Sequence, residues 1–561
     1  MAKHLSVHSM SSMSPQELSH IEELNVQARD FSLPEFHEFI TGLSQCKQID
    51  VLDVDINPED VKGFEALMGA VSHAGIKKLI ARSDNYSPEI QAHLASFIQG
   101  NNSLVNLTLM TTHHWMMMRM FKKDRVSIDL SVLEPALTNS SLQALTCSYV
   151  DISEPSAEVL CRVLPTLSLK VLNMSGNVSS LETVLGSIPD SLFCLEVSNN
   201  YLSSEARGAL AQLMQRCHIK DLTLEAAGLD RSDFEELAKS FKDHAPVSLN
   251  VSNNIMLGSA FLEDALEKDD AAREFFAKYR FMERETSGMV IAEMLRNCPQ
   301  IETFFARNCN ISAKDVKYIA RALPESGIKW LGLIHNPIGN DGAACIASVL
   351  NHTSINNLNL SDCNIGPCGA LPLFSVLGDN KTLRLLMMRN KGLEFTTSGV
   401  FDTLVPSLKK NNTLAQLDMH CGNSPLNKYQ WSSLDDLEEN NTTLTFEFID
   451  QIGRSNSLNE RLENFSNRNM KKMIASFHAA NAGTDVDVCS SEAAAKSTVV
   501  EPVELKEEVQ EVSKAPAASP VRDKSPTWAQ QFSPTARRKP ECWMHAKERN
   551  EHNAARRHGK H

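Results

Sequence analysis

The sequence predicts an α/β solenoid, a curved stack of strand–helix units with a parallel sheet on the concave side and helices on the convex side. Three observations predict it. A short apolar figure, Φ-x-x-Φ-x-Φ, returns from Ile21 to about Met419 at intervals of mostly about 27–28 residues. Within a copy, strand-like alternation gives way to helical spacing. A polar residue, usually Asn and sometimes Cys, recurs three positions after the figure ends. A fixed period in this range marks stacked units, each unable to bury its apolar side alone.

The figure reads Ile21, Leu24, Val26 in the first copy and Ile49, Leu52, Val54 in the second. Later copies begin at Ile76, Leu104, Leu142, Leu169, Leu192 and Ile219, with a weaker one around Leu249 and Val251. Clear copies resume at Ile301, Ile328, Ile355 and Leu383, and a looser one follows at Leu414. The fullest unit starts at Ile328. Residues 328–333 alternate like a strand buried on one side, and after a turn Ala343, Ile346, Ala347 and Leu350 fall at helical spacing. Asn336 stands where the chain turns inward, and its amide can satisfy backbone groups that would otherwise be buried unpaired. The same slot holds Asn177, Asn200 and Asn254, and Cys309 and Cys363 in two other units. This pattern resembles the leucine-rich repeat of the ribonuclease-inhibitor type. The resemblance implies a horseshoe that supplies a binding surface.

Two intervals break the period. Between Leu104 and Leu142 lies a surplus that includes His113–Lys123, with Trp115 among Met116, Met117, Met118 and Met120. This insertion, 113–124, is expected to leave the solenoid wall. Between Pro246 and Ile301 the gap is almost two periods. The expectation is a degenerate unit, with Phe276, Tyr279 and Phe281 as its apolar figure and Met289–Leu295 as its helix. The alternative is one long convex helix through Phe261–Tyr279.

These signals divide the chain into a lead-in (1–20), a solenoid of about 14–15 units (21–450), a helical cap (451–478) and a disordered tail (479–561). In the cap, Leu462, Phe465, Met473 and Ile474 fall loosely at helical spacing. The tail loses apolar periodicity and cannot bury enough surface to fold alone. Its first part, 479–514, has eight acids against three bases, and 515–561 has ten bases against four acids. Removing that net +1 from the chain's −14 leaves −15 on the repeats, which argues against nucleic acid as a partner. Three Ser-Pro pairs, at Ser519, Ser525 and Ser533, are candidate phosphorylation sites.

No segment reaches the roughly 18–20 apolar residues of a membrane span, and the first twenty residues lack a secretory signal's apolar stretch. The thirteen cysteines include no C-x-x-C pair and fall mostly on core or ladder positions, so they read as buried thiols in a reducing, cytoplasmic compartment. No phosphate-cradling Gly-rich loop, His-Glu-x-x-His or Gly-x-Ser-x-Gly occurs, and the sequence implies no catalytic residue, cofactor or metal site. Phe31–Glu35 echoes an F-box opening only faintly.

Function is therefore expected on the concave face, at the inward positions beside the apolar marks. In early units these are Glu23, Asn25, Asp53, Asp55, Lys78 and Arg82; Glu196, Asp221 and Glu225 follow as an acidic band. The expected partner-binding residues lie later. They are Lys278 and Arg280 of the degenerate unit, then Phe305, Arg307, Trp330, Ile334, Leu385, Met387, Arg389, Asp418 and His420. Aromatic, Met and Arg side chains exposed together favour a protein interface. The reading is a monomeric, non-catalytic module that binds a protein partner. One alternative is a GTPase activator, because the Ran activator shares this repeat type, with Arg307 or Arg389 as the arginine that stabilises phosphoryl-transfer charge. Another is a membrane-surface scaffold working through the Met-Trp insertion and the basic tail. The irregular repeats and long polar tail are also similar to leucine-rich effectors that intracellular bacteria export by type IV secretion. That resemblance implies a place in the host-cell cytosol and action on host proteins.

Overall fold

The computed structural model describes residues 4–5, 20–33, 35–44, 46–112, 126–176, 181–258, 286–421, 426–447 and 461–472. All of them lie within the compact unit Met1–Asp485. The insertion 113–124, the slot at Asn177, the residues 276–281 and the tail 479–561 lie outside the described residues.

One parallel sheet of sixteen strands runs through the described residues. A short strand, β1 (His4–Leu5), pairs with β2 (His20–Val26). β3 (Gln48–Asp55), β4 (Gly75–Arg82) and β5 (Asn106–Met110) follow in order. The main sheet passes over β6 (Val126–Ile128) to β7 (Ala144–Ser148), and β6 pairs apart with β8 (Val150–Ile152). Next come β9 (Val171–Asn173), β10 (Cys194–Glu196), β11 (Asp221–Thr223) and β12 (Ser248–Asn250). The sheet ends with β13 (Thr303–Phe305), β14 (Trp330–Gly332), β15 (Asn357–Asn359), β16 (Leu385–Met387), β17 (Gln416–Asp418) and β18 (Thr445–Glu447).

β12 pairs directly with β13, Leu249 beside Phe304. This overturns the degenerate unit, because its strand would have to stand between them. The helix Ser287–Asn297 is the convex helix belonging to β12 instead.

The register stacks like on like. Leu24, Leu52 and Leu79 stand side by side, as do Leu331, Leu358, Leu386 and Leu417, and all are buried. Convex helices close the other side of this core, and several are begun by side-chain caps. Asp60, Ser87, Ser203, Asp230, Ser312 and Asn427 each accept a backbone N–H from the first helical turn. Among the described residues no helix is long and apolar enough to cross a membrane.

The polar slot does what its sequence position implies. Asn336 Oδ1 accepts the N–H groups of Cys309 (2.9 Å) and Ile311 (3.0 Å). Its Nδ2 donates to the carbonyls of Ala306 (2.7 Å) and Leu333 (2.9 Å). Asn200 and Asn254 make equivalent donations. Cys309 and Cys363 give only a thiol, donated to Val251 O at 3.2 Å and Leu333 O at 3.0 Å. Two parts of this system were not legible. In the unit of β16 the role passes to Asn390, which accepts from Cys363 N–H and donates to Leu360 O. A second asparagine series runs behind the helices. Asn411 donates to Asn380 O, Asn441 to Asn411 O and Asn469 to Asn441 O. Asn469 belongs to a helix over 461–472 that covers the last strand, where the Ser466 hydroxyl accepts the edge N–H of Phe446 at 2.8 Å.

Asn336→Ala and Asn390→Ala should each lower stability by about 1–3 kcal/mol in denaturant unfolding, because buried backbone groups lose their partners. Cys363→Ala should cost less. Burial pushes the thiols of Cys309 and Cys363 up to about 12. In the native protein at pH 8, iodoacetamide should therefore alkylate exposed Cys368 and spare both, as peptide mass spectrometry would show.

Candidate functional site

Three inward rows line the concave face. The first runs Thr303, Trp330, Asn357, Leu385, Gln416 and the second Phe305, Gly332, Asn359, Met387, Asp418. The third, two residues further along each unit, runs Arg307, Ile334, Ser361, Arg389, His420. These side chains take no part in the leucine core, so their chemistry is free to vary along the stack.

It varies in three zones. In the early units the charges cancel locally: Arg82 pairs with both Asp53 and Asp55, and Lys77 reaches Asp50 at 2.8 Å. The middle zone is a hydrogen-bonded polar floor. Glu196 accepts from Asn173 (2.7 Å) and Ser175 (3.1 Å), and Glu225 accepts from Asn253 (2.6 Å). Asn308 donates onward to Asn253 at 2.9 Å. Burial pushes the Glu196 carboxyl above its usual range, and the neighbouring Glu225 charge adds to this. Tyr149 lies on Gly176 of the next unit, where any side chain would strike its ring, and its hydroxyl accepts from Asn199 at 3.0 Å.

The third zone holds the residues expected to bind a partner. Phe305 and Trp330, from adjacent strands, meet edge to face with ring centroids 5.2 Å apart, both partly exposed. Gly332 makes this possible, since a methyl group there would collide with the Phe305 ring. Ile334, Leu385, Met387 and His420 are partly exposed around them, and Asn359 Nδ2 donates to the Met387 sulfur at 3.0 Å. Arg307 is exposed, and among the described residues its guanidinium has no carboxylate partner. Lys278 and Arg280 lie outside the described residues.

Asp418 departs from expectation. It is fully buried under Arg389, whose Nε pairs with it, so it anchors Arg389 and offers nothing to a partner. Alternation correctly placed Asp418 on the inward row, but it carries no information about a neighbouring arginine folding over it. Gly332 was missed as well. Its signal was a glycine at the inward position of the Trp330 unit that pairs with Phe305.

No family model matches the chain. Ribonuclease inhibitor of Mus musculus is 24% identical over 295 residues, covering 50% of this chain and 58% of that protein. "NACHT, LRR and PYD domains-containing protein 4C" of the same organism is 22% identical over 290 residues, covering 50% of this chain and 26% of its own length. The chain thus spans little more than half of the first relative and about a quarter of the second. A solved structure, the leucine-rich repeat-containing protein LegL7 from Legionella pneumophila, aligns at TM-score 0.33 and 16% identity, covering 58% of this chain and 89% of that one. The repeats described above are leucine-rich repeats of the ribonuclease-inhibitor type.

The two arginines should behave oppositely in unfolding experiments. Arg389→Ala strands the buried Asp418 carboxylate and should cost about 3 kcal/mol. Arg307→Ala removes an exposed side chain and should change stability by less than about 0.5 kcal/mol.

Proposed function

We propose that the protein is a non-catalytic binding module that captures a partner protein on the concave face, over the units of β13 to β16. The observation that carries this reading is the partly exposed Phe305–Trp330 pair beside the uncommitted Arg307. Aromatic and arginine side chains held together on a rigid surface are the residues that dominate interface energetics. The sheet supplies the rigidity. Trp330 and Phe305 are fixed by parallel pairing and by each other, so little ordering entropy is lost on binding. Action on host proteins as an exported effector is the finer form of this proposal and rests on the irregular repeats and polar tail of the sequence.

The test compares wild type with Trp330→Ala in quantitative co-precipitation from host-cell lysate, followed by affinity measurement on the partner recovered. Loss of the indole should weaken binding by about 2–4 kcal/mol. It should cost folding only about 1 kcal/mol, because the side chain stands outside the leucine core. A variant that binds every partner as tightly as wild type, or that unfolds while its partners stay bound, would make the aromatic pair structural and end this reading.

A further inference from the structure

Resting on that reading, we infer that the partner element recognised here is an acidic peptide segment in which an aromatic or large aliphatic side chain adjoins a carboxylate. The apolar group settles on Phe305 and Trp330, and the carboxylate meets Arg307. Three features of the concave face select this chemistry.

The first is the state of its arginines. Arg389 is committed to buried Asp418. Arg307 is exposed and, among the described residues, without an acid. A guanidinium in that state offers charge-assisted bonds to a carboxylate with no internal pair to break first. The second is spacing. Arg307 follows Phe305 by two residues on the same inward side, about 7 Å along an extended backbone. Adjacent side chains of a short peptide that is not held in a regular strand can turn to one side with their tips a comparable distance apart, so one ring and one carboxylate can engage both groups together. The third is the boundary. Glu225 belongs to the unit of β11, two strands from β13, or roughly 10 Å across the sheet. It repels further acids on that side, which confines an acidic element to the zone from β13 toward β16. Gly332 is the positioning residue of this site, since it lets the Phe305 ring lie flat against the sheet beside Trp330.

The experiment uses the full chain and three synthetic probes, N-acetyl-Phe-Glu-amide, N-acetyl-Phe-Lys-amide and N-acetyl-Ala-Glu-amide, with binding followed by ligand-observed NMR. The Phe-Glu probe should bind at least about tenfold more tightly than either other, the factor one charge-assisted contact supplies. Arg307→Gln should erase the preference for Glu over Lys while leaving the melting temperature unchanged. Gly332→Val should weaken the Phe-Glu probe with the acidic preference retained. Equal binding of the Phe-Lys and Phe-Glu probes overturns the inference, as does an unchanged preference in Arg307→Gln or no binding by any probe. If Trp330→Ala still releases the protein partner in any of those cases, the concave-face reading survives and only the acidic-aromatic chemistry falls.

Discussion

The structure depends on one constraint: where each unit turns from its strand into the interior, backbone N–H and C=O groups are buried with no strand beside them. The leucines would collapse without solving this, but not into a stack of fixed register. Asn336 solves it by reaching back one unit, accepting Cys309 and Ile311 N–H and donating to Ala306 O. Cys309 in turn reaches the unit before, through its thiol to Val251 O. Each turn is therefore completed by its neighbour, which ties stability to stacking and not to the single unit. The backbone follows. At the eighth position of eight consecutive units, from Tyr149 to Asp362, φ is positive. Asn, Gly, Asp and His hold most of these positions, as left-handed backbone favours. Tyr149 is an exception with a visible compensation, because its ring rests on Gly176.

The fold was legible because its two periodic signals are redundant. The apolar figure and the polar slot recur independently, so an error in one copy does not shift the rest. Legibility failed wherever a residue acted out of phase. Asn390 performs the ladder role one position early, because the unit beginning at Leu383 turns without the left-handed residue its predecessors use. Asn380, Asn411 and Asn441 sit at or just after helix ends and Asn469 in the helix over 461–472, where an asparagine normally signals exposed surface; only the stacking shows that each bonds its neighbour's backbone.

The candidate site was legible in part for a related reason. Alternation assigns a side chain to the inward side, and Phe305, Trp330 and Arg307 stand there. It says nothing about what lies over or beside a residue once there. Asp418 and Arg307 both stand at inward positions on paper, yet one is fully buried and paired while the other is exposed. That difference comes from cross-strand neighbours in units about 30 residues apart, such as Arg389 over Asp418. Charge in the early units is likewise hidden in cross-strand pairs, Arg82 with Asp53 and Asp55.

These pairings explain how a strongly acidic solenoid can present an acid-seeking site. Net charge describes the long-range field, which falls off over about 10 Å in salt. Recognition is decided by which charges remain uncommitted at contact distance. On the concave face of the later units Asp418 is spent on Arg389, and Asp362 lies 3.5 Å from the His335 imidazole. In the middle units the acids Glu196 and Glu225 are held by neutral amides and hydroxyls. Among the described residues the face is thus polarised along the stack, ion pairs giving way to an acidic polar floor and then to an aromatic patch beside the uncommitted Arg307. The leucine rows and both asparagine series fix where each side chain stands, and the inward rows are left to set what each zone will accept.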